Sequence, residues 1–333
     1  MNLCLYLLSW LNDDFELWRN SYNIEYSSCG DYIYARKQWK KNDRYIKRMN
    51  SKNLTFVLGH NRFSHYALGE FHDNLGIRNM IPVKPVYWSD VRKKHIKDYI
   101  DWEERGAVTP VKDQGTCGSC WSFSTTGLLE GAYFIKYGKL LSFSEQMLVS
   151  CDSLDYGCNG GSVENALRWI KNNKGICLEE DYPYEPTFGL GNSSGNSMMT
   201  SMVKSPGHSF CCKKCDKVVR GTGNIIIKKI FPLEYQLEKA VIEQPIAVGI
   251  DASTREFQFY RGGVFTGDCG SNIDHGVLAV GFGKSDDGID FWKVKNSWGV
   301  DWGMNGYILI EKNYTIPGGK CGIHKDAFGA KLY

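Results

Sequence analysis

The sequence predicts an α+β protein of two subdomains preceded by a helical amino-terminal segment. Three observations carry that prediction. Asp31 to Asn50 places Trp39, Asn42, Ile46 and Asn50 at three- and four-residue steps, the spacing of one face of an amphipathic helix. Near residue 120 a glycine-rich turn runs straight into a helix-forming segment that ends near Gly138. The carboxy-terminal half then carries runs rich in Val, Ile and aromatic side chains, the composition of strands. At 333 residues with 42% hydrophobic content, the chain exceeds one typical domain and can bury a substantial core.

Residues 1–12 are expected to be a short signal or leader, although the apolar stretch within Met1 to Leu11 lacks a basic start. Residues 13–95 differ in character from residues 96–333. The first 95 residues carry 15 Lys and Arg against 9 Asp and Glu, and the remainder carries 25 against 28, so the two parts attract each other. An ordinary helical accessory domain is the plainer account of the first part. Pro82 to Ile100 has the character of an exposed linker, with Arg92-Lys-Lys-His open to cleavage.

The first subdomain beyond the linker is expected to be mainly helical. Its central helix starts at Cys120 and continues through Leu128, Leu129, Ala132 and Tyr133. A shorter helix follows a capping box, Ser142-Phe-Ser-Glu145, and a third runs from Ser162 to Asn172 with Ser162 as its cap. Thr187 to Phe210, rich in Gly, Ser, Asn and Met, is expected to be an inserted surface loop. The second subdomain should be a β-barrel-like sheet built from Ile246–Asp251, Val277–Phe282, Phe291–Lys295 and Tyr307–Glu311. Turn chemistry, Ser-Asp-Asp-Gly, separates two of these strands between Lys284 and Asp290.

Residues 114 to 124 read Gln-Gly-Thr-Cys-Gly-Ser-Cys-Trp-Ser-Phe-Ser and set Cys120 at the start of the central helix. A helix start offers unpaired N–H groups and about half a positive charge, both of which favour thiolate over thiol. Cys117-Gly-Ser-Cys120 is also a C-x-x-C, but no βαβ pattern surrounds it and no second ligand pair matches it, so redox and zinc roles are the weaker readings. Downstream, His275 stands in Asn272-Ile-Asp-His-Gly-Val and Asn296 in Val294-Lys-Asn-Ser-Trp-Gly, each at the edge of an apolar strand-like run. A lone histidine before a strand is usually structural, as is expected of His208 and His324. His275 escapes that expectation because the cysteine and asparagine motifs accompany it.

On these motifs the chain resembles the papain-like cysteine proteases, cathepsin L-like in character, from about Phe15 to its end. The resemblance implies a papain-like two-subdomain fold with the site in the intervening cleft. It implies Cys120 as nucleophile, His275 as general acid/base, Asn296 as the group orienting the imidazole, and Gln114 as oxyanion donor beside the Cys120 N–H. Trp298 would cover the His275–Asn296 hydrogen bond from water. A thiolate and an imidazolium are expected at rest. His275 and Asn296 lie 155 and 176 residues beyond Cys120, longer than the roughly 130–150 of the family, and the two insertions account for the excess.

The resemblance extends to binding. Gly160 and Gly161 match the backbone strip that pairs with an extended peptide, with a simple turn as the alternative. Val163, Gly249, Ile273 and Asp326 would line the pocket for the second residue before the scissile bond, with Asp274 and Trp298 also in the substrate-binding set. An unpaired acid at Asp326 would admit Arg beside Leu or Phe; otherwise Asp326 points to solvent or pairs with Lys325. Family-like disulfides would join Cys117 to Cys158, Cys269 to Cys321, and Cys151 to one of Cys211, Cys212 or Cys215, which leaves Cys177 in an odd remainder.

Asp31 to Asn50 looks like the inhibitory prosegment helix of cathepsin L-like zymogens, with Asp31 where Glu is usual and Ala35 where Arg is usual. Gly59-His-Asn-Arg-Phe-Ser-His65 follows a further prosegment pattern, with His65 in place of an acid. His65 against cationic neighbours would open the zymogen at a milder pH than Asp. The mature chain should begin near Ile96.

Polypeptide substrates, the chain's own propeptide and cystatin-type inhibitors are the implied partners of a monomer that binds neither nucleic acid nor membrane. No cofactor and no metal is expected. Twelve cysteines, together with the glycosylation triplets at Asn53, Asn192 and Asn313, fit a lysosomal, endosomal or secreted enzyme. The rival class is a catalytically idle relative that binds peptides or inhibits proteases.

Overall fold

The computed structural model describes residues 13–72, 75–77, 98–185, 215 and 218–333. The expected leader, most of the linker with Arg92-Lys-Lys-His and Ile96, and the loop Thr187–Phe210 with Asn192 and His208 lie outside these residues, as do Cys211 and Cys212.

The amino-terminal segment opens with helix α1 (Asp14–Ser21), whose cap Asp13 accepts the Glu16 N–H at 3.3 Å. Helix α2 (Cys29–Asn50) is capped by Ser28, which accepts the Asp31 N–H at 3.1 Å. Trp39, Asn42 and Ile46 are buried as their spacing predicts, but the face continues through Met49, not Asn50. Asn50 is exposed and instead holds Leu58 by both its N–H and its carbonyl, at 2.9 and 2.8 Å. Phe15, Trp18, Tyr32, Ala35 and Trp39 make a small core between α1 and α2. Ala35 therefore packs against aromatic rings, and Arg36 pairs with Asp13.

Strand β1 (Phe56–Leu58) follows and adds itself antiparallel to the edge strand β5 (Tyr260–Phe265). Short helix α3 (Leu68–His72) is the last helix of the segment among the described residues.

The first subdomain holds the three expected helices: α4 (Cys120–Tyr137), α5 (Glu145–Cys151) and α6 (Val163–Asn172). Helix α4 stops at Gly138, whose φ of 69° is the left-handed cap glycine tolerates best. The α5 cap is Ser144, which accepts the Met147 N–H, and not Ser142 as the capping-box pattern predicted. Ser162 caps α6 through the Asn165 N–H.

The sheet runs in the order β1-β5-β8-β7-β6-β4-β9-β3, with β2 (Ile100–Asp101) paired to β6. Its members include β4 (Ile246–Ile250), β6 (His275–Lys284), β7 (Asp290–Lys295) and β8 (Tyr307–Glu311), within a residue or two of their expected bounds. Ile100 is buried in β2 opposite Phe282, so the exposed linker does not reach it. Strands β3 (Ile225–Lys229) and β9 (Ala327–Leu332), and helices α7 (Glu234–Glu243) and α8 (Arg255–Gln258), complete the second subdomain.

Helix α4 lies across this sheet and joins the subdomains. Gly131 permits the approach, since a Cβ there would stand 2.6 Å from Pro245. Behind the contact, partly buried Lys112 bridges Glu130 of α4 and Glu145 of α5, both buried, at 3.0 and 2.6 Å.

Candidate active site

Cys120 is the first residue of α4, and its preceding cap residue, Ser119, makes no side-chain capping bond. In this first turn the Ser122 and Phe123 N–H groups go to the Ser119 carbonyl, and the Trp121 N–H is the one that reaches the thiol. Gly276 donates to Cys120 Sγ at 3.2 Å, and the Gly76 and Trp121 N–H groups join it. The thiol is fully buried, and that burial pushes it up to about 12 against the pull of these donors.

His275 opens β6, opposite Ile250 of β4, and Asn296 follows the last residue of β7. His275 Nε2 lies 2.7 Å from Asn296 Oδ1, which also accepts the Ser297 N–H at 2.8 Å. That second donor fixes the amide's orientation, so Nε2 carries the imidazole proton and Nδ1 is the free basic atom. Nδ1 is buried without a hydrogen-bond partner. The Trp298 ring stacks on His275 at 4.5 Å and shields the His275–Asn296 bond, as expected. Burial lowers the imidazole to about 4, only partly opposed by Asn296.

Burial thus opposes charge on both groups while the site is covered.

Gln114 is fully buried, with Nε2 donating to the Cys117 carbonyl at 2.9 Å and Oε1 accepting from Ser297 Oγ at 2.7 Å. Tyr184 was missed by sequence reasoning. Its hydroxyl donates to the Gln114 carbonyl at 2.9 Å and meets Ser119 Oγ at 2.7 Å, tying the two loops that frame Cys120.

What covers the site is the amino-terminal segment. The Gly161 N–H donates to the Gly76 carbonyl, and the Ile77 N–H to the Asp274 carbonyl, both at 2.9 Å. Residues 75–77 thus bridge the subdomains across Cys120, and a Cβ on Gly76 would fall 1.9 Å from the Gly118 carbonyl oxygen. Phe63 and Phe71 pack edge-on against Trp298 at 5.5 and 5.3 Å, and Arg62 pairs with Asp113. Charge attraction is thus one part of an interface made largely by aromatic rings and backbone bonds.

The Gly161 N–H thus pairs with the backbone of the chain's own residue 76, while Gly160 sits in the adjoining turn, its N–H bonded to the Gly157 carbonyl at 3.3 Å. Val163 is buried at the start of α6. Gly249, Ile273 and Asp326 converge: a Cβ on Gly249 would lie 2.5 Å from Ile273 Cγ2 and 3.3 Å from Asp326 Cβ. Asp326 is neither unpaired nor bound to Lys325. It pairs with Lys229 at 3.1 Å, and Lys325 donates to Ser271 Oγ at 2.6 Å.

Disulfides join Cys117 to Cys158 and Cys269 to Cys321 as expected. Cys215 pairs with Cys177, which places Cys177 in a disulfide and removes Cys215 as a partner for Cys151. Cys151 is disulfide-bonded to a partner outside the described residues. Cys120 is a free thiol.

A free thiol that accepts the Gly276 N–H, an amide-held imidazole on the adjacent residue His275, and residues 75–77 laid across the thiol are the parts expected of a thiol peptidase held in an inhibited form. The chain belongs to the papain family of cysteine proteases, whose family model matches residues 96–331. A cathepsin propeptide inhibitor domain matches residues 15–71. The chain is 41% identical over 302 residues to germination-specific cysteine protease 1 of Arabidopsis thaliana, covering 87% of this chain and 75% of the relative. The crystal structure of the proform of Amb a 11, a ragweed pollen cysteine protease, superposes with TM-score 0.81 at 34% identity, over 96% of this chain and 93% of that one. Digestive procathepsin L 3 of Tenebrio molitor larval midgut gives TM-score 0.79 at 33% identity over the whole of both chains. The protein is a cysteine endopeptidase made as an inhibited zymogen and activated by propeptide removal.

Proposed function

We propose that Cys120 is the nucleophile, His275 the acid/base and Asn296 the orienting group, with the Gln114 amide and the Cys120 N–H as oxyanion donors. The observation that carries this reading is the peptide segment 75–77 clamped between Gly161 and Asp274 above the thiol. A substrate would take the same path once the segment leaves. Water then re-enters, the charged forms regain solvation, and the Cys120 proton passes to His275 Nδ1.

The thiolate attacks the scissile carbonyl carbon, and the resulting oxyanion is held by the two donors. His275 gives its proton to the departing amine, leaving a thioester on Cys120. It then takes a proton from water, whose oxygen attacks the thioester. The acid product leaves, and the proton returns the pair to its resting charge.

Prosegment cleavage near Ile96, a secretory or vacuolar location and sensitivity to cystatin-type inhibitors belong to the same proposal. The disulfides support the oxidising route. Acid treatment followed by a thiol-directed peptidyl epoxide tests it. Mass spectrometry should find a chain beginning within a few residues of Ile96 and labelled on Cys120. Processing with Cys120 unlabelled would support the idle, peptide-binding relative instead.

A further inference from the structure

Strand pairing sets Gly249 of β4 opposite Gly276 of β6, whose N–H reaches Cys120 Sγ. Gly249, Ile273 and Asp326 thus lie together one residue pair away from the thiol, three of the residues assigned above to the pocket for the second residue before the cut. These three were visible in the sequence. The fourth group, Lys229, was not.

Lys229 ends β3 and pairs across the ladder with Phe328 of β9, two residues beyond Asp326. Its ammonium is fixed from two directions, 3.1 Å from Asp326 Oδ1 and 5.0 Å from the centre of the Phe328 ring. The two side chains are similarly sheltered, 24% and 25% exposed. Lys325, the neighbour that competes for Asp326 in sequence, is committed to the Ser271 carbonyl and hydroxyl.

We infer that Lys229 is a specificity-determining residue: its ammonium neutralises Asp326 at the pocket floor, so that the enzyme selects apolar side chains and discriminates against Arg. The inference rests on the peptidase and pocket assignment made above. An entering guanidinium meets a neutral ion pair instead of a bare carboxylate. To bond Asp326 it must expel Lys229, exchanging one cation for another with no gain in pairing. A Leu or Phe side chain leaves the pair intact and gains apolar contact with Ile273. Removing the ammonium alone leaves a sheltered carboxylate without a partner, and Arg then supplies the missing charge.

The test uses the full chain, processed at acid pH and normalised by active-site titration, with Leu-Arg and Arg-Arg fluorogenic dipeptides between pH 5 and 7. Wild type should favour Leu-Arg. Lys229→Met and Lys229→Gln should each raise the Arg-Arg to Leu-Arg ratio of kcat/KM by about tenfold, the size of one new charge-assisted contact. Two variants are used so that a folding defect in one leaves the ratio measurable in the other. Lys229→Arg should keep the wild-type ratio, and adding Asp326→Ala to Lys229→Met should return it. A ratio unchanged by both Met and Gln, with Leu-Arg turnover intact, overturns the role of Lys229 and leaves the peptidase assignment standing. Wild type that hydrolyses neither dipeptide overturns both.

Discussion

At the scale of single residues, the proposed chemistry depends on one thiol that is buried at a helix start and unpaired with any other sulfur. Cys120→Ala should abolish peptide hydrolysis while leaving the thermal transition in place. Cys120→Ser should be nearly as inactive, since a hydroxyl is far less ionised than a thiol near neutrality. Gln114→Ala should cost about 100- to 1000-fold in kcat. Its structural bonds to Cys117 and Ser297 make Gln114→Glu the useful control, because Glu preserves the size of the side chain but replaces the donor. Steady-state kinetics on the processed chain checks all three; turnover retained by the Ala variant at position 120 would remove the nucleophile assignment. These residues were legible because each sits in a dense local motif. Lys229 was not, because it lies 97 residues from Asp326 and only strand pairing brings them together. Tyr184 was hidden for the same reason, 70 residues beyond Gln114.

At the scale of elements, two contacts are structurally decisive. Gly76 crosses the Gly118 carbonyl so closely that Gly76→Ala must lift the segment from the cleft. That variant should give a full chain with measurable turnover at pH 7.5, where wild type is silent; equal silence in both would show that residues 75–77 do not hold the site closed. Behind the site, burial raises the Glu130 carboxyl but Lys112 and Lys295 outweigh it and hold the group below its ordinary range. Its depressed value means a contribution present above the unfolded carboxylate range and lost as pH falls through the folded value. Glu130→Ala takes one of two carboxylates from Lys112, leaves the buried Phe143 N–H and Thr109 hydroxyl without their acceptor, and should destabilise the processed chain by about 3–5 kcal/mol in urea at pH 7. A loss under about 1 kcal/mol would mean that water replaces the carboxylate. The helices of the first subdomain were legible from caps and periodicity. Strands β3, β5 and β9 were not: Ile225–Lys229 ends in two lysines, and Tyr260–Phe265 and Ala327–Leu332 contain glycine, which weakens a strand signal.

At the scale of the whole molecule, the amino-terminal segment is a cover that encloses a titratable histidine. His65 is enclosed by the rings of Trp18, Tyr26 and Tyr66, at 5.3, 5.9 and 4.4 Å, and its Nδ1 is buried without a partner. Burial lowers the imidazole to about 4; cationic neighbours, expected from the sequence, are not the cause. A histidine with a depressed folded value stabilises the docked state least when protons are abundant. Its penalty begins as pH falls below about 6.5 and is complete near the folded value. His65→Leu should therefore move the midpoint of self-processing to lower pH. A midpoint unmoved by this change would exclude His65 from the response.

Alkylation of Cys120 tests the central claim, that cover removal converts a buried thiol and imidazole into a reactive pair. Iodoacetamide labelling would be followed by peptide mass spectrometry on the full chain and the acid-processed chain, from pH 4 to 9. The full chain should resist labelling at pH 7.5, because the thiol is buried and pushed up to about 12. The processed chain should label rapidly and almost independently of pH down to about 4, as a His-paired thiolate does. Equal labelling of the two forms, or a processed chain that reacts only above about pH 8 like an ordinary thiol, would contradict the account.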